Sequence, residues 1–132
     1  MTKKVKLLLI PLILILLFLI YCWIIILSTE ILATWRHYLG LIFFIMLVVI
    51  FFTSVNRATI ATGIYLLLAT FNFLAITASI HTVGLTFSDS FSTPPIQPLC
   101  LVLFVIYFSL NFYFLIDIQL DYKEARLKKR QN

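Results

Sequence analysis

The stretch ATIATGIYLLLATFNFLAITAS, residues 58–79, decides how this chain packs. On a helix of 3.6 residues per turn, its small and polar side chains fall on one stripe and its bulky side chains on the opposite one. The first stripe comprises Ala58, Ala61, Tyr65, Ala69, Asn72, Ala75 and Ser79. Small residues let helix backbones approach closely in a membrane, so we expect this stripe to be a helix-packing face. The bulky stripe is expected to face lipid or another apolar helix, and it comprises Ile60, Ile64, Leu67, Phe71 and Leu74.

The composition predicts an integral membrane protein. Of the 132 residues, 63% are hydrophobic and only 11% are charged, and the mean hydropathy is +1.12. Soluble domains are about one quarter charged, so a soluble fold is excluded. Nearly all the basic residues behind the net charge of +5 flank apolar segments. This distribution is typical of contact with the lipid bilayer and not of nucleic-acid binding. The two cysteines, Cys22 and Cys100, form neither a disulfide framework nor a zinc motif.

Four apolar segments predict an all-α fold, a four-helix transmembrane bundle that forms one domain over residues 1–132. The predicted helices cover residues 7–27, 31–55, 58–80 and 98–120. The first apolar run gives about 32 Å of helix, enough to cross a bilayer core of about 30 Å. Loops are predicted at 28–38, within which the second helix already begins, and at 81–97, where Pro94 and Pro95 oppose a helix. Pro98 suits the first turn of the last helix.

The distribution of charge predicts the orientation of the bundle. If the N-terminus is cytoplasmic, four crossings place every Lys and Arg except Arg36 on the cytoplasmic side. Because cytoplasmic loops are enriched in Lys and Arg, we expect both termini and the basic tail 117–132 to be cytoplasmic. Loops 28–38 and 81–97 are then extracytoplasmic. The expected location is a bacterial inner membrane or a plasma membrane, as a multi-pass protein.

The apolar segments contain no ionisable Asp, Glu, Lys, Arg or His between the membrane interfaces. A proton-coupled transporter generally needs an intramembrane carboxylate, so that class is disfavoured. The polar residues at depth are Asn72 and Asn111, which we interpret as helix-packing residues that hydrogen-bond to neighbouring groups. Counted from the outer helix ends, the two are offset by more than one turn, and a direct bond between them would need a tilt or shift.

Reactive side chains gather only at the predicted outer interface. This outer-interface polar cluster comprises Glu30, Arg36, His37 and His81. Two histidines from adjacent helices suggest a haem or metal site, but they lack a spacing signature and lie at the water boundary. An interfacial anchor formed by Trp35, Arg36, His37 and Tyr38 is the favoured interpretation. We therefore expect no cofactor, no metal and no catalytic residue.

Three functional hypotheses follow from these patterns. The leading one is a non-catalytic accessory or assembly subunit, in contact with other membrane protein subunits or with itself as a homo-oligomer. The first alternative is an oligomeric pore or small-solute carrier with a pathway lined by Thr62, Tyr65 and Asn72. The second alternative is a membrane enzyme acting on lipid-linked substrates at the outer interface through Glu30, Arg36 and His37. An enzyme is the less favoured outcome.

Overall fold

The computed structural model describes residues 2–29, 32–78, 82–83, 86–88, 91–92 and 95–131. Its helices are α1 Lys3–Ser28, α2 Trp35–Thr53, α3 Val55–Thr70 and α4 Pro98–Gln131. Two short antiparallel strands, β1 Thr86–Ser88 and β2 Phe91–Ser92, form a hairpin in the connection between α3 and α4. The prediction of a helical fold with four helices is confirmed, whereas the hairpin was not predicted.

Three of the helices, α1, α2 and α4, are long and apolar enough to cross a membrane. They are rich in Leu, Ile, Val and Phe, and most of their side chains point away from the bundle, as is typical of surfaces that face lipid. Helix α3 is different because its 16 residues span only about 24 Å. After Thr70 the chain continues without helical structure through residues 71–78, which we call the connector.

Helix α3 lies at the centre of the bundle, where it packs against α1, α2 and α4. Helix α1 also packs along α4, while α2 has extensive contact among the described helices only with α3. The Lys4 ammonium donates a hydrogen bond to Asn56 Oδ1 at 2.7 Å and lies 5.6 Å from the centre of the Phe114 ring. The start of α1, the turn from α2 to α3 and the charged half of α4 therefore share one end of the bundle.

The predicted third helix extends too far at its C-terminal end, since the described residues 71–78 are not helical. It was expected over 58–80, but α3 begins at Val55 and ends at Thr70. Asn72 has a φ of 64°, in the left-handed region where an L-residue cannot continue a right-handed helix. Asn is one of the few non-glycine residues that adopt this conformation readily. The apolar periodicity continues past Thr70 because the connector is also buried, which is why the pattern alone did not reveal the break.

The other predicted boundaries also shift. Helix α2 begins at Trp35 instead of 31, and α2 and α3 are separated by Ser54 alone, whereas the predicted helices 31–55 and 58–80 left residues 56–57 between them. Helix α4 begins at Pro98 as predicted but continues through Gln131, past the predicted end at 120. Strong helix formers such as Lys, Glu, Ala and Arg fill its last three turns, which explains why the helix persists beyond the apolar segment.

Candidate functional site

The end of α3 is the most unusual polar feature of the described chain, because a helix terminus lies inside the bundle. Thr77 and Ala78 of the connector line a cavity of about 420 Å³ together with Phe18, Tyr21 and Ile25 of α1, before the end of that helix at Ser28. Irregular backbone at this depth is tolerated only if its polar groups find partners in the protein. The hydrogen bonds around the connector therefore show whether its polar groups are all bonded within the chain, as in a purely structural segment, or are free to bind a ligand.

The last four carbonyl groups of α3 all accept hydrogen bonds. The pairs are Phe71 N–H to Leu67 O at 3.1 Å, Phe73 N–H to Leu68 O at 2.9 Å, Asn72 N–H to Ala69 O at 3.0 Å and Gln97 N–H to Thr70 O at 2.9 Å. The bonds from residues 72 and 73 form a Schellman motif, with Asn72 in the left-handed position usually taken by glycine. Helix α3 is thus fully capped by backbone groups of this chain.

The side chain of Gln97 joins the connector to α4. Its Nε2 donates to Asn72 Oδ1 at 2.7 Å and to Leu74 O at 3.2 Å, and its Oε1 accepts from Cys100 Sγ at 3.1 Å. Gln97 is 2% exposed and Asn72 is 9% exposed. Both ends of the Gln97 amide are therefore engaged inside the bundle. Sequence reasoning missed this residue because a glutamine between Ile96 and Pro98 resembles an ordinary loop residue.

His37 holds the connector from the other side, on the first turn of α2. Its Nδ1 lies 3.1 Å from Thr34 N and 2.9 Å from Thr34 Oγ1, and its Nε2 lies 3.1 Å from Thr77 O. Because Nδ1 accepts the Thr34 amide, Nε2 carries the proton and donates it to the Thr77 carbonyl. The ring is 2% exposed. Both ring nitrogens are thus occupied, which leaves neither available to a substrate or metal in this arrangement.

Gly40 allows the connector to lie directly on α2. A Cβ atom at this position would come within 2.5 Å of the Ala75 carbonyl oxygen, which is closer than van der Waals contact allows. One turn earlier, the Arg36 carbonyl accepts the Ala75 N–H at 3.1 Å. The signal in the sequence was that Gly40 is the only glycine or alanine in the apolar run 39–55. Its partner is the connector backbone, which periodicity did not predict.

The predicted packing stripe is divided between α3 and the connector. On α3, Ala58, Tyr65 and Ala69 are buried, while Ala61 is half-buried. Asn72 and Ala75 are also buried, but they lie on the connector and not on a helical face, and Ser79 lies outside the described residues. Leu74, which was expected on a helical face that meets lipid or another apolar helix, is 2% exposed and lies on the connector, because the chain has left the helix before it.

Two further polar side chains join α3 to its neighbours. Tyr65 Oη donates to the Gly40 carbonyl at 3.1 Å, and Tyr107 Oη donates to the Thr59 carbonyl. Asn111 is fully buried, but its Nδ2 donates to the Tyr107 carbonyl of its own helix at 3.2 Å, and no bond joins it to Asn72. The hydroxyls of Thr59 and Thr62 donate to carbonyls four residues earlier in α3.

The outer-interface polar cluster is described only in part. Glu30 and His81 lie outside the described residues, so the structure does not test whether they approach His37. The Arg36 guanidinium lies 5.5 Å from the centre of the Trp35 ring, and Tyr38 makes an edge contact with Trp23 of α1. Of the described members of the cluster, Arg36 thus contacts an aromatic ring and His37 contacts the connector.

Among the described residues, no three His, Cys, Asp or Glu side chains lie close enough together to hold a metal ion. Cys22 and Cys100 are both buried free thiols on α1 and α4. Cys22 packs with Ile26 and Ala78, so it behaves as a small apolar residue.

The hydrogen-bonding pattern around the connector is that of a purely structural segment. The His37, Asn72 and Gln97 side chains around the connector are directed at groups of this chain, and the described end of α3 has no open carbonyl where a cation would bind. Comparison of the chain with protein-family models, with curated proteins and with solved structures finds no match. The interpretation of function therefore depends on the geometry of the bundle.

Proposed function

We propose that this chain is a non-catalytic accessory or assembly subunit of a membrane complex, with other membrane subunits or further copies of itself as its partners. The observation that carries this proposal is the capped end of α3. Broken helices in transporters leave carbonyl groups free to coordinate ions, and substrate sites form there. In this chain the four terminal carbonyls of α3 are all occupied. Such an arrangement supports a rigid scaffold more than a transport site.

The alternatives lose support from the same bonds. The residues expected to line a pore have polar atoms that bond internally: Thr62 to Ala58, Tyr65 to Gly40, and Asn72 to Gln97. The residue expected to act as a base, His37, has both ring nitrogens occupied. A pore at the first three residues, or a catalytic base at His37, would require these bonds to break inside the bundle.

Helix α2 supplies the surface that we propose for partner contact. It lies at the edge of the bundle and exposes a row of large side chains that includes Phe43 at 41% and Met46 at 54%. A groove of about 200 Å³ runs between these residues and Ala61 and Ile64 of α3. Aromatic residues and Met are enriched at protein interfaces, and a small residue in a groove admits a side chain from a neighbouring helix.

The proposed membrane orientation has both termini in the cytoplasm, in a bacterial inner membrane or a plasma membrane. The start of α1 and the charged half of α4 share one end of the bundle, which supports an even number of crossings. The excess of Lys and Arg at this end supports its cytoplasmic placement.

The proposal is tested by native mass spectrometry of the full chain, isolated from its own membrane in a gentle detergent. We expect a stoichiometric companion or a homo-oligomer. Ala61→Phe fills the α2–α3 groove and should dissociate the complex, while Val102→Phe, at a position of α4 that is 57% exposed, should leave it intact. A monomer without a companion contradicts the proposal. Solute flux into liposomes that is lost with Thr62→Val or Tyr65→Phe would favour the pore instead.

A further inference from the structure

The cavity of about 420 Å³ beside the second half of α1, which we call the α1 cavity, is long in the direction of that helix. Phe18, Tyr21 and Ile25 recur in it at intervals of three and four residues and therefore form one stripe of α1, about 10 Å in length. The rest of the lining consists of Thr77, Ala78, Gln97, Pro98 and Leu99. The volume lies within the range of about 300–1,000 Å³ that is typical of sites for small molecules.

The cavity exists because α3 ends and α4 begins at a level that α1 passes. The Gln97 N–H donates to the Thr70 carbonyl at 2.9 Å, so the end of α3 lies beside the start of α4. Leu99, on the first turn of α4, lines the cavity with Phe18, whereas α1 continues to Ser28. From Phe18 to Ser28, α1 rises about 15 Å. This part of α1 therefore faces the connector instead of the helix α3.

The connector does not fill the space beside α1, because its bonds draw it towards α2. The Ala75 N–H donates to the Arg36 carbonyl, and the Ala75 carbonyl lies against Gly40. His37 Nε2 donates to the Thr77 carbonyl at 3.1 Å. With its backbone held on α2, the connector leaves the stripe of α1 without a closely packed neighbour.

Polar groups that line the cavity are engaged within the chain. Gln97 donates through Nε2 to two oxygen atoms of the connector, and its Oε1 accepts from Cys100 Sγ. The Thr77 carbonyl accepts from His37. A buried water molecule needs about two to four polar partners. An occupant that brings apolar surface and no hydrogen-bonding groups therefore suits this cavity better than water does.

The position and direction of the cavity favour a lipid chain as this occupant. The stripe lies inside the apolar run 7–27 of α1, which matches the thickness of a bilayer core, and Tyr21 and Leu99 at the rim are exposed. Transmembrane helices tilt by only about 20° on average from the bilayer normal, so the cavity runs in the direction of the lipid chains. A side chain from a partner helix would enter across the helix axis and fill only part of this length.

We infer that the α1 cavity binds one hydrocarbon chain of a bilayer phospholipid. The bound chain lies along the stripe of α1 and contacts the connector at Ala78. Lipids on the outer surface of the bundle do not make this contact, because Ala78 is 9% exposed. The α1 cavity shares no residue with the α2–α3 groove, so this inference goes beyond the proposed function and does not rest on it.

The test uses the full chain in phosphatidylcholine nanodiscs that contain a minor fraction of a photoreactive analogue, with a diazirine in the middle of one acyl chain. Peptide mass spectrometry after irradiation locates the labelled residues. We expect label on Ala78 and Gln97, which are too buried to meet lipid except within the cavity. Leu66 is equally buried on α3 but does not line the cavity, and it should remain unlabelled.

Variants that fill the cavity supply the second part of the test. Leu99→Trp should lower the labelling of Ala78 at least about fivefold, because overpacking disfavours a further occupant. Leu101→Trp is the matched control, since Leu101 is comparably exposed on α4 but does not line the cavity, and it should leave the labelling unchanged. Ile25→Trp fills the cavity from α1, with Ile24→Trp as its control. Melting temperatures identify any variant that fails to fold.

Two results would overturn the inference. One is label confined to exposed residues such as Tyr21, with none on Ala78 or Gln97. The other is labelling of Ala78 that persists in the folded Leu99→Trp and Ile25→Trp variants. The proposed function fails separately, because the absence of a native companion does not affect the labelling. If Ala78 stays unlabelled and Leu99→Trp dissociates a native companion, the cavity receives a partner side chain, which overturns this inference and supports the accessory role.

Discussion

Gly40 and Gln97 determine how the connector is held. Neither belongs to the stripe of small residues that the sequence suggested as the packing face. Gly40 provides space for the Ala75 carbonyl, and Gln97 provides hydrogen bonds to Asn72 and Leu74. Both contacts join residues more than 20 positions apart, so local patterns could not predict them. Single substitutions at these two positions test the structural role of the connector.

We expect Gly40→Ala to destabilise the protein more than Gly63→Ala does. At position 40 a Cβ would lie 2.5 Å from the Ala75 carbonyl oxygen, which is fixed backbone. At position 63 it would lie 3.1 Å from Tyr107 Cε1, which belongs to a side chain that can shift. Overpacking of this kind costs about 1–3 kcal/mol. Thermal unfolding in detergent measures the difference, and equal melting temperatures for the two variants would contradict the close contact.

We also expect Gln97→Leu to lower the free energy of unfolding by about 1–3 kcal/mol, since it leaves the buried Asn72 and Leu74 oxygens without a donor. The matched control is Gln119→Leu, the same chemical change at an exposed position of α4. Chemical or thermal denaturation in detergent compares the two variants. If Gln97→Leu proves as stable as the control, the amide does not hold the connector.

At the scale of the element, the end of α3 is the main departure from the sequence prediction. The existence, type and approximate position of all four helices follow from apolar periodicity and length. The break after Thr70 does not, because a buried connector and a buried helix contain the same kinds of residue. Asn72 was interpreted as a polar residue on a helical face. Its actual role is to end the helix and to accept a hydrogen bond from Gln97.

A comparison of Asn72→Gly with Asn72→Ala distinguishes a residue that ends the helix from a residue on a helical face. The two roles predict opposite orders of stability for the two variants. Both variants lose the side-chain bond to Gln97. In a helix interior, glycine is about 1 kcal/mol less favourable than alanine. In the left-handed conformation seen at residue 72, alanine is the less favourable residue, by about 1–2 kcal/mol. We therefore expect Asn72→Gly to unfold at a higher temperature than Asn72→Ala. The reverse order would support the predicted third helix that continues through residue 72.

For the whole molecule, the shortness of α3 bears on the number of times that the chain crosses the membrane. Three helices are long and apolar enough to do so. The contact of Lys4 with Asn56 and Phe114 nevertheless places the start of α1 and the charged half of α4 at the same end. The even number of crossings proposed above satisfies this arrangement if α3 and the connector together form one crossing.

Reporter fusions at both termini and at the turn around Ser54 test this topology. We expect all three positions on the same side of the membrane, because contacts hold them at one end of the bundle. A reporter inserted after Thr82 should lie on the opposite side. Termini on opposite sides would mean that α3 and the connector do not cross, and would exclude the proposed orientation.

The sequence by itself determined the membrane class, the helical fold and the approximate helix positions, because these depend on composition and on local apolar runs that any packing must bury or expose to lipid. It also pointed to residues 58–79 as the stretch that other helices contact. Only the tertiary structure decided that this stretch is a short helix followed by a connector. The physical reason is that irregular backbone in an apolar environment needs partners for its N–H and C=O groups, and Arg36, His37 and Gln97 provide them from distant parts of the chain.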